Sequence, residues 1–124
     1  MSKNENKNIL VIEDDSAIRE LLETALNLEG YQVLTAAHGG EAWALLQNLK
    51  KPLHLLILDL MMPVMDGIEF LRLKNNSPNY QNIPTLVMSA ASEKHFPEEG
   101  EHQVNLRKPI DLDDFLKRVE MLIA

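Results

Sequence analysis

Cysteine is absent from this chain of 124 residues. Its absence removes disulfides, thiolate-bound metals and cysteine nucleophiles together, and fits a reducing compartment. Aromatic residues are scarce, with three Phe, two Tyr and one Trp, so Leu, Ile, Val, Met and Ala must fill any core. No apolar run approaches the roughly 18 residues of a membrane helix. The opening MSKNENKN also lacks the apolar stretch of a signal peptide. A cytoplasmic protein without membrane insertion is therefore expected. Basic residues number 12 against 19 acids, for a net charge of −7, and they are scattered along the chain. Such a surface repels a phosphate backbone, so direct nucleic-acid binding is not expected.

What is present is the material of one domain. A chain this long is expected to bury roughly two-thirds of its unfolded surface around a single core. Residues 1–7 read as a flexible N-terminus and 8–124 as the domain. Asn8-Ile9-Leu10-Val11-Ile12 is nearly all apolar, as a parallel strand covered on both faces should be. From Ser16, the residues Ile18, Leu21, Leu22, Ala25 and Leu26 recur at helical spacing, and Gly30 stands where a helix C-terminus wants a left-handed residue. Gln32–Ala36 predicts a second strand, and Ala42, Leu45, Leu46 and Leu49 a second helix. Leu53–Leu58 is the most apolar strand and stops at Asp59, which suggests the sheet centre. Asp66-Gly67 is a turn signal before a helix with Ile68, Phe70, Leu71 and Leu73. Pro84–Met88 and Val104–Arg107 predict the last two strands, and Asp111 the N-cap of a final amphipathic helix. Between Ala90 and Gln103, Pro97, Gly100 and a cluster of glutamates leave no apolar stripe, so the helix due there is expected to be irregular or shortened.

Strands alternating with helices predict an α/β fold, a doubly wound five-stranded parallel sheet. In such sheets, sites lie at the carboxyl ends of the strands. The residues found there are Glu13, Asp14 and Asp15 after the first strand, Asp59 after the third, Ser89 after the fourth and Lys108 after the fifth. Converging carboxylates repel one another, and a cation relieves them. Mg2+ suits such a site because it takes oxygen ligands, keeps several waters and needs only one or two carboxylates plus a phosphate oxygen. Taken singly, each residue has a plainer explanation: a helix cap for Asp15, a cap of the turn into Met61-Met62-Pro63 for Asp59, a surface ion pair for Lys108. Their arrival on one edge is what weakens those explanations. The four histidines lack metal-ligand spacing and read as surface or packing residues, and Met61, Met62 and Met65 as loop and core packing.

Ile9-Leu10-Val11-Ile12-Glu13-Asp14-Asp15, Leu58-Asp59-Leu60-Met61-Met62-Pro63 with Asp66-Gly67, Met88-Ser89-Ala90 and Lys108-Pro109 resemble the marks of the receiver domain of bacterial two-component response regulators, of the chemotaxis-regulator kind. The resemblance runs through nearly the whole chain. It implies a flavodoxin-like strand order, 2-1-3-4-5. It makes Asp59 the nucleophile toward a phosphohistidine on a sensor histidine kinase or a histidine phosphotransfer protein. It gives Mg2+ to Glu13, Asp14, Asp59 and the Met61 backbone carbonyl, with Asp15 as the uncertain acid. Lys108 and Ser89 would bind phosphoryl oxygens, and a cis peptide would precede Pro109.

Two departures from the family pattern carry expectations of their own. Met61 and Ala91 occupy positions where polar side chains in the family orient hydrolytic water, which implies a long-lived phosphoryl group. Asn105 occupies the place of the usual switch aromatic, and the segment from Ser89 to Lys108 is short, which implies an altered output face. Three rival readings remain. A Mg2+-dependent phosphohydrolase would commonly carry a second acid where Met61 stands, and a nucleotide-binding domain would have a glycine-rich loop after the first strand. A phosphorylation-independent receiver-like module is the third. The expectation is a switch rather than an enzyme, one that catalyses its own phosphorylation and slow dephosphorylation.

Overall fold

Alternating side chains in the three central strands serve two different cores, and this is what builds the sheet. In β1 (Asn8–Ile12), β3 (Leu55–Asp59) and β4 (Thr85–Ser89), the residues Ile9, Val11, Leu55, Ile57, Leu86 and Met88 enter one core. Leu10, Ile12, Leu56, Leu58 and Val87 enter the other. Successive side chains of a strand point to opposite faces, so a strand covered on both faces must be apolar throughout. With β2 (Gln32–Ala36) and β5 (Gln103–Arg107) at the edges, the strands are parallel and ordered β2-β1-β3-β4-β5. This is the expected doubly wound, flavodoxin-like order. The computed structural model describes residues 4–60, 67–90 and 102–124. The expectation of an irregular fourth helix falls on 91–101 and, like Met61, Met62, Met65, Asp66 and Ala91, lies outside the described residues.

Among the described residues, helices α1 (Ser16–Leu28) and α4 (Leu112–Ile123) cover the first core with Leu22, Leu26, Phe115 and Val119. Helices α2 (Gly39–Asn48) and α3 (Gly67–Asn75) cover the second with Ala42, Leu46, Phe70 and Leu71. There Trp43 packs edge-on against Phe70 and Tyr80, with ring centroids 6.1 and 5.5 Å away. Helix α1 ends on Glu29, and Gly30 takes a φ of 95°, a conformation that glycine adopts at least cost.

Element ends differ from the sequence expectation by a residue or two, for reasons of pairing. The third strand begins at Leu55, the partner of Ile9, and includes Asp59, the partner of Met88. The fourth begins at Thr85 because Pro84 has no N–H to donate, although its carbonyl still accepts from Leu56 N at 2.9 Å. Helix α2 begins at Gly39, capped by His38 Nδ1, which accepts from Glu41 N at 3.2 Å.

Polar groups buried at the amino ends of the strands are satisfied internally. Asn8 donates from its amide to Pro52 O at 2.9 Å and from its backbone to His54 Nδ1 at 3.0 Å. Thr85 Oγ1 donates to Ile83 O at 3.1 Å. Lys74, only 1% exposed, donates from Nζ to Gln81 O at 3.2 Å. Burial pushes its ammonium down to about 8.

Candidate functional site

The site follows from strand register. Strands β1 and β3 pair Ile12 with Leu58, so one step further the carboxyl ends of the two strands deliver Glu13 and Asp59 side by side. These strands lie where connections depart in opposite directions, β1 leading outward to β2 and β3 to β4, which opens the crevice typical of such sheets. Glu13, Asp14 and Asp59 each offer a carboxylate oxygen, and these atoms all lie within 4.8 Å of one another. Glu13 and Asp59 are buried, whereas Asp14 is exposed.

Strand β5 contributes from two strands away, and only a long side chain spans that distance. Ser89 pairs with Arg107, and Lys108 N donates to Ser89 O at 2.7 Å, which starts the lysine side chain at the sheet edge. The Lys108–Pro109 peptide is cis, as the resemblance implied. Lys108 Nζ reaches Asp59 Oδ2 at 3.4 Å and Glu13 Oε1 at 3.6 Å, a cation set between two buried carboxylates.

The third acid has a different employment. Asp15 caps α1, its Oδ1 accepting from Ala17 N at 2.9 Å and Ile18 N at 3.2 Å. Its backbone N–H donates to Glu13 Oε2 at 3.2 Å. Removal of Glu13 from water raises its carboxyl to about 8, and hydrogen bonding and charge repulsion from Asp59 add to this. The Asp15 N–H and Lys108 oppose it.

Two buried side-chain atoms, Glu13 Oε1 and Ser89 Oγ, have no hydrogen-bond partner among the described residues. Unsatisfied polar atoms are rare inside proteins, and here both belong to residues at this strand edge. A carboxylate cluster with an unsatisfied oxygen suits a hard divalent cation, and a buried hydroxyl nearby suits an anionic oxygen.

Asn105 stands mid-strand in β5 opposite Val87, and its Oδ1 accepts from Gln103 Nε2 at 3.0 Å. Met61 and Ala91 lie outside the described residues. Two other residues bear on the site without having been singled out for it. Gly67 sits so close to the turn after β3 that a Cβ there would collide with Leu60 Cα and lie 2.7 Å from Asp59 O. The Asp-Gly pair signalled the turn but not this approach. Arg19 Nη1 donates to the Glu13 carbonyl at 2.8 Å. Its sequence signal is a cation in the first turn of a helix, where the dipole disfavours one.

Comparison with known proteins agrees with this geometry. The profile of the response regulator receiver domain matches residues 9–120. Response regulator RR06 of Streptococcus pneumoniae is 37% identical over 123 residues, covering 94% of this chain and 52% of its own length. Sporulation initiation phosphotransferase F of Bacillus subtilis is 34% identical over 118 residues, covering 93% of this chain and 92% of its own. This chain thus spans about half the length of the first of these relatives and nearly all of the second. Among solved structures, the signal receiver domain of a histidine kinase from Syntrophus aciditrophicus superposes with a TM-score of 0.82 at 27% identity, over 94% of this chain and 89% of that one. Chemotaxis protein CheY4 of Vibrio cholerae gives 0.77 at 27% identity, over 94% and 98%. A parallel sheet of this order, an acid cluster at its switch point and a profile match over most of the chain lead to one conclusion: the chain belongs to the response regulator receiver domain family.

Proposed function

We propose that the domain spanning residues 8–124 takes a phosphoryl group from a phosphohistidine onto Asp59, with Mg2+, and thereby switches its binding to a partner. The observation that carries this reading is the convergence of Glu13, Asp14 and Asp59 within 4.8 Å, with Lys108 Nζ 3.4 Å from Asp59. An Asp59 oxygen attacks phosphorus as the phosphorus–nitrogen bond of the donor breaks. An acyl phosphate forms on Asp59, and the departing imidazole takes up a proton. Lys108 follows the negative charge from the carboxylate to a phosphoryl oxygen, and Ser89 Oγ donates to another. Glu13, Asp14 and Asp59 would hold Mg2+, directly or through water, together with the Met61 carbonyl. Bound there, the ion neutralises charge on the transferring group.

The donor is a sensor histidine kinase or a histidine phosphotransfer protein. The relative named a phosphotransferase, which this chain matches over 92% of that protein's length, supports a phosphorelay setting. The chain catalyses its own labelling and slow release without turning over a substrate. The test is intact mass after acetyl phosphate and Mg2+: one phosphoryl adduct is expected on the wild type and none on Asp59→Asn. An adduct that persists in the variant, or one that forms fully in excess chelator, overturns the reading.

A further inference from the structure

We infer that Arg19 is a positioning residue for the acidic pair, acting through the backbone of Glu13 and Asp14 rather than by touching the reacting groups. The inference rests on the cation-binding reading above. Arg19 lies in the first turn of α1, and its own N–H donates to Asp15 O at 2.9 Å. From there its half-buried side chain turns back along the connection between β1 and α1. Nη1 donates to the Glu13 carbonyl at 2.8 Å and makes a longer contact, 3.5 Å, with the Asp14 carbonyl.

Helix electrostatics do not account for this placement. The N-terminal end of a helix carries partial positive charge, which favours acids and disfavours cations. The first turn of α1 nevertheless contains Arg19 and no acid. What the guanidinium gains is a charged hydrogen bond to a strand-end carbonyl, with a second carbonyl at the limit of reach.

The connection depends on few other restraints. Glu13 is held by its N–H to Ala36 O at 3.0 Å, and Asp15 by its cap. Between them, the exposed carboxylate of Asp14 must be brought within 4.8 Å of Glu13 and Asp59 oxygens by its backbone alone. Arg19 contacts the carbonyls of the two peptide links that flank Asp14, so it sets the direction in which the acidic pair's carboxylates leave the chain. Groups that orient metal ligands from outside typically matter by about 10- to 100-fold in metal affinity.

Position and charge make opposite demands here, which gives the test its sign. As a nearby positive charge, Arg19 opposes cation binding, and its removal should tighten the site. As a clamp, it favours binding, and its removal should weaken the site. The measurement is titration of the whole chain with Mn2+, followed by loss of the free-ion EPR signal, beside thermal melts without divalent cation. Arg19→Ala is expected to weaken Mn2+ binding by about tenfold. Arg19→Lys, which keeps the charge and one donor to Glu13 O, is expected to fall between that variant and wild type. Unchanged or tighter binding by folded Arg19→Ala overturns the inference. So does a loss of melting temperature with no change in Mn2+ affinity, which marks a purely structural role. If Arg19→Ala does not fold, Arg19→Lys decides alone, with wild-type affinity as the overturning result. Failure of wild type itself to bind Mn2+ would instead remove the cation-binding reading beneath.

Discussion

The two ends of this sheet bury polar groups in opposite ways. At the amino end, Asn8, His54, Thr85 and Lys74 spend polar atoms on backbone partners close by. At the carboxyl end, Glu13 and Asp59 share one lysine, and Glu13 Oε1 and Ser89 Oγ stay without hydrogen bonds among the described residues. Leaving such atoms unsatisfied costs stability, typically about 1–3 kcal/mol each. The amino end is therefore arranged to hold the fold. The carboxyl end keeps hydrogen-bonding capacity that the described residues leave unused. The same apolar strands serve both purposes, because they set the register at one end and carry the acids at the other.

Lys74 is where this contrast is easiest to break, since it is a buried charge whose hydrogen-bond partners among the described residues, Gln81 O and Asn75 Oδ1, are both neutral. Below about pH 8 the lysine is charged in both the folded and the unfolded chain, so its cost is constant. Between about 8 and 10.5 the unfolded chain keeps a proton that the folded one has released, and stability rises with pH. Across that window the gain should approach about 3 kcal/mol. Tyr31, held above its usual range by burial and then by Glu120 and Glu29, works against it near the top of the window. The readout is therefore the difference between wild type and Lys74→Met in urea melts across this range. Parallel pH profiles for the two would show that the amino end tolerates this charge at no cost.

Gly67→Ala tests the other end at the next magnitude. The added methyl meets main chain on Leu60 and Asp59, which cannot rotate away as a side chain would. A loss of about 2 kcal/mol is expected in denaturant melts, together with slower labelling of Asp59. Full stability and normal labelling would mean that α3 shifts freely against the end of β3.

The smallest effects should have opposite signs at the two ends. Thr85→Val deprives Ile83 O of its donor and should cost about 1 kcal/mol. Asp59→Asn removes one charge from the crowded acids and, without divalent cation, should add about 1 kcal/mol, the familiar exchange of function for stability. Matching signs in thermal melts would erase the distinction between the two ends.

Much of this was legible in the sequence because both-face burial forces unbroken apolar strands, and such runs end where the site begins. Glu13, Asp14, Asp15, Asp59, Ser89 and Lys108 could be picked out as strand-end residues by position alone for that reason, and the choice among the three acids came from the family resemblance. Long-range partners were less visible. A cap on α1 was one explanation open to Asp15 from the sequence, but nothing there says that its N–H also steadies Glu13. His38 and His54 read as surface or packing residues, yet each accepts a backbone N–H, one capping the start of α2 and one joining the approach to β3 with β1. Lys74 sits in a helical pattern like any solvent-facing lysine, and its burial depends on the turn around Gln81 folding over it. Gly67 announced a turn, but the collision it avoids belongs to tertiary packing.

The aromatic seam between α2 and α3 has an optical consequence. Trp43 is the one tryptophan in the chain, so its emission has a single source. The indole leans on Phe70, one turn into the helix that opens at Gly67, and that glycine's N–H donates to Leu60 O at 2.9 Å, next to Asp59. Intrinsic fluorescence therefore provides a label-free gauge on the helix that abuts Asp59, usable in stopped flow on the unmodified chain.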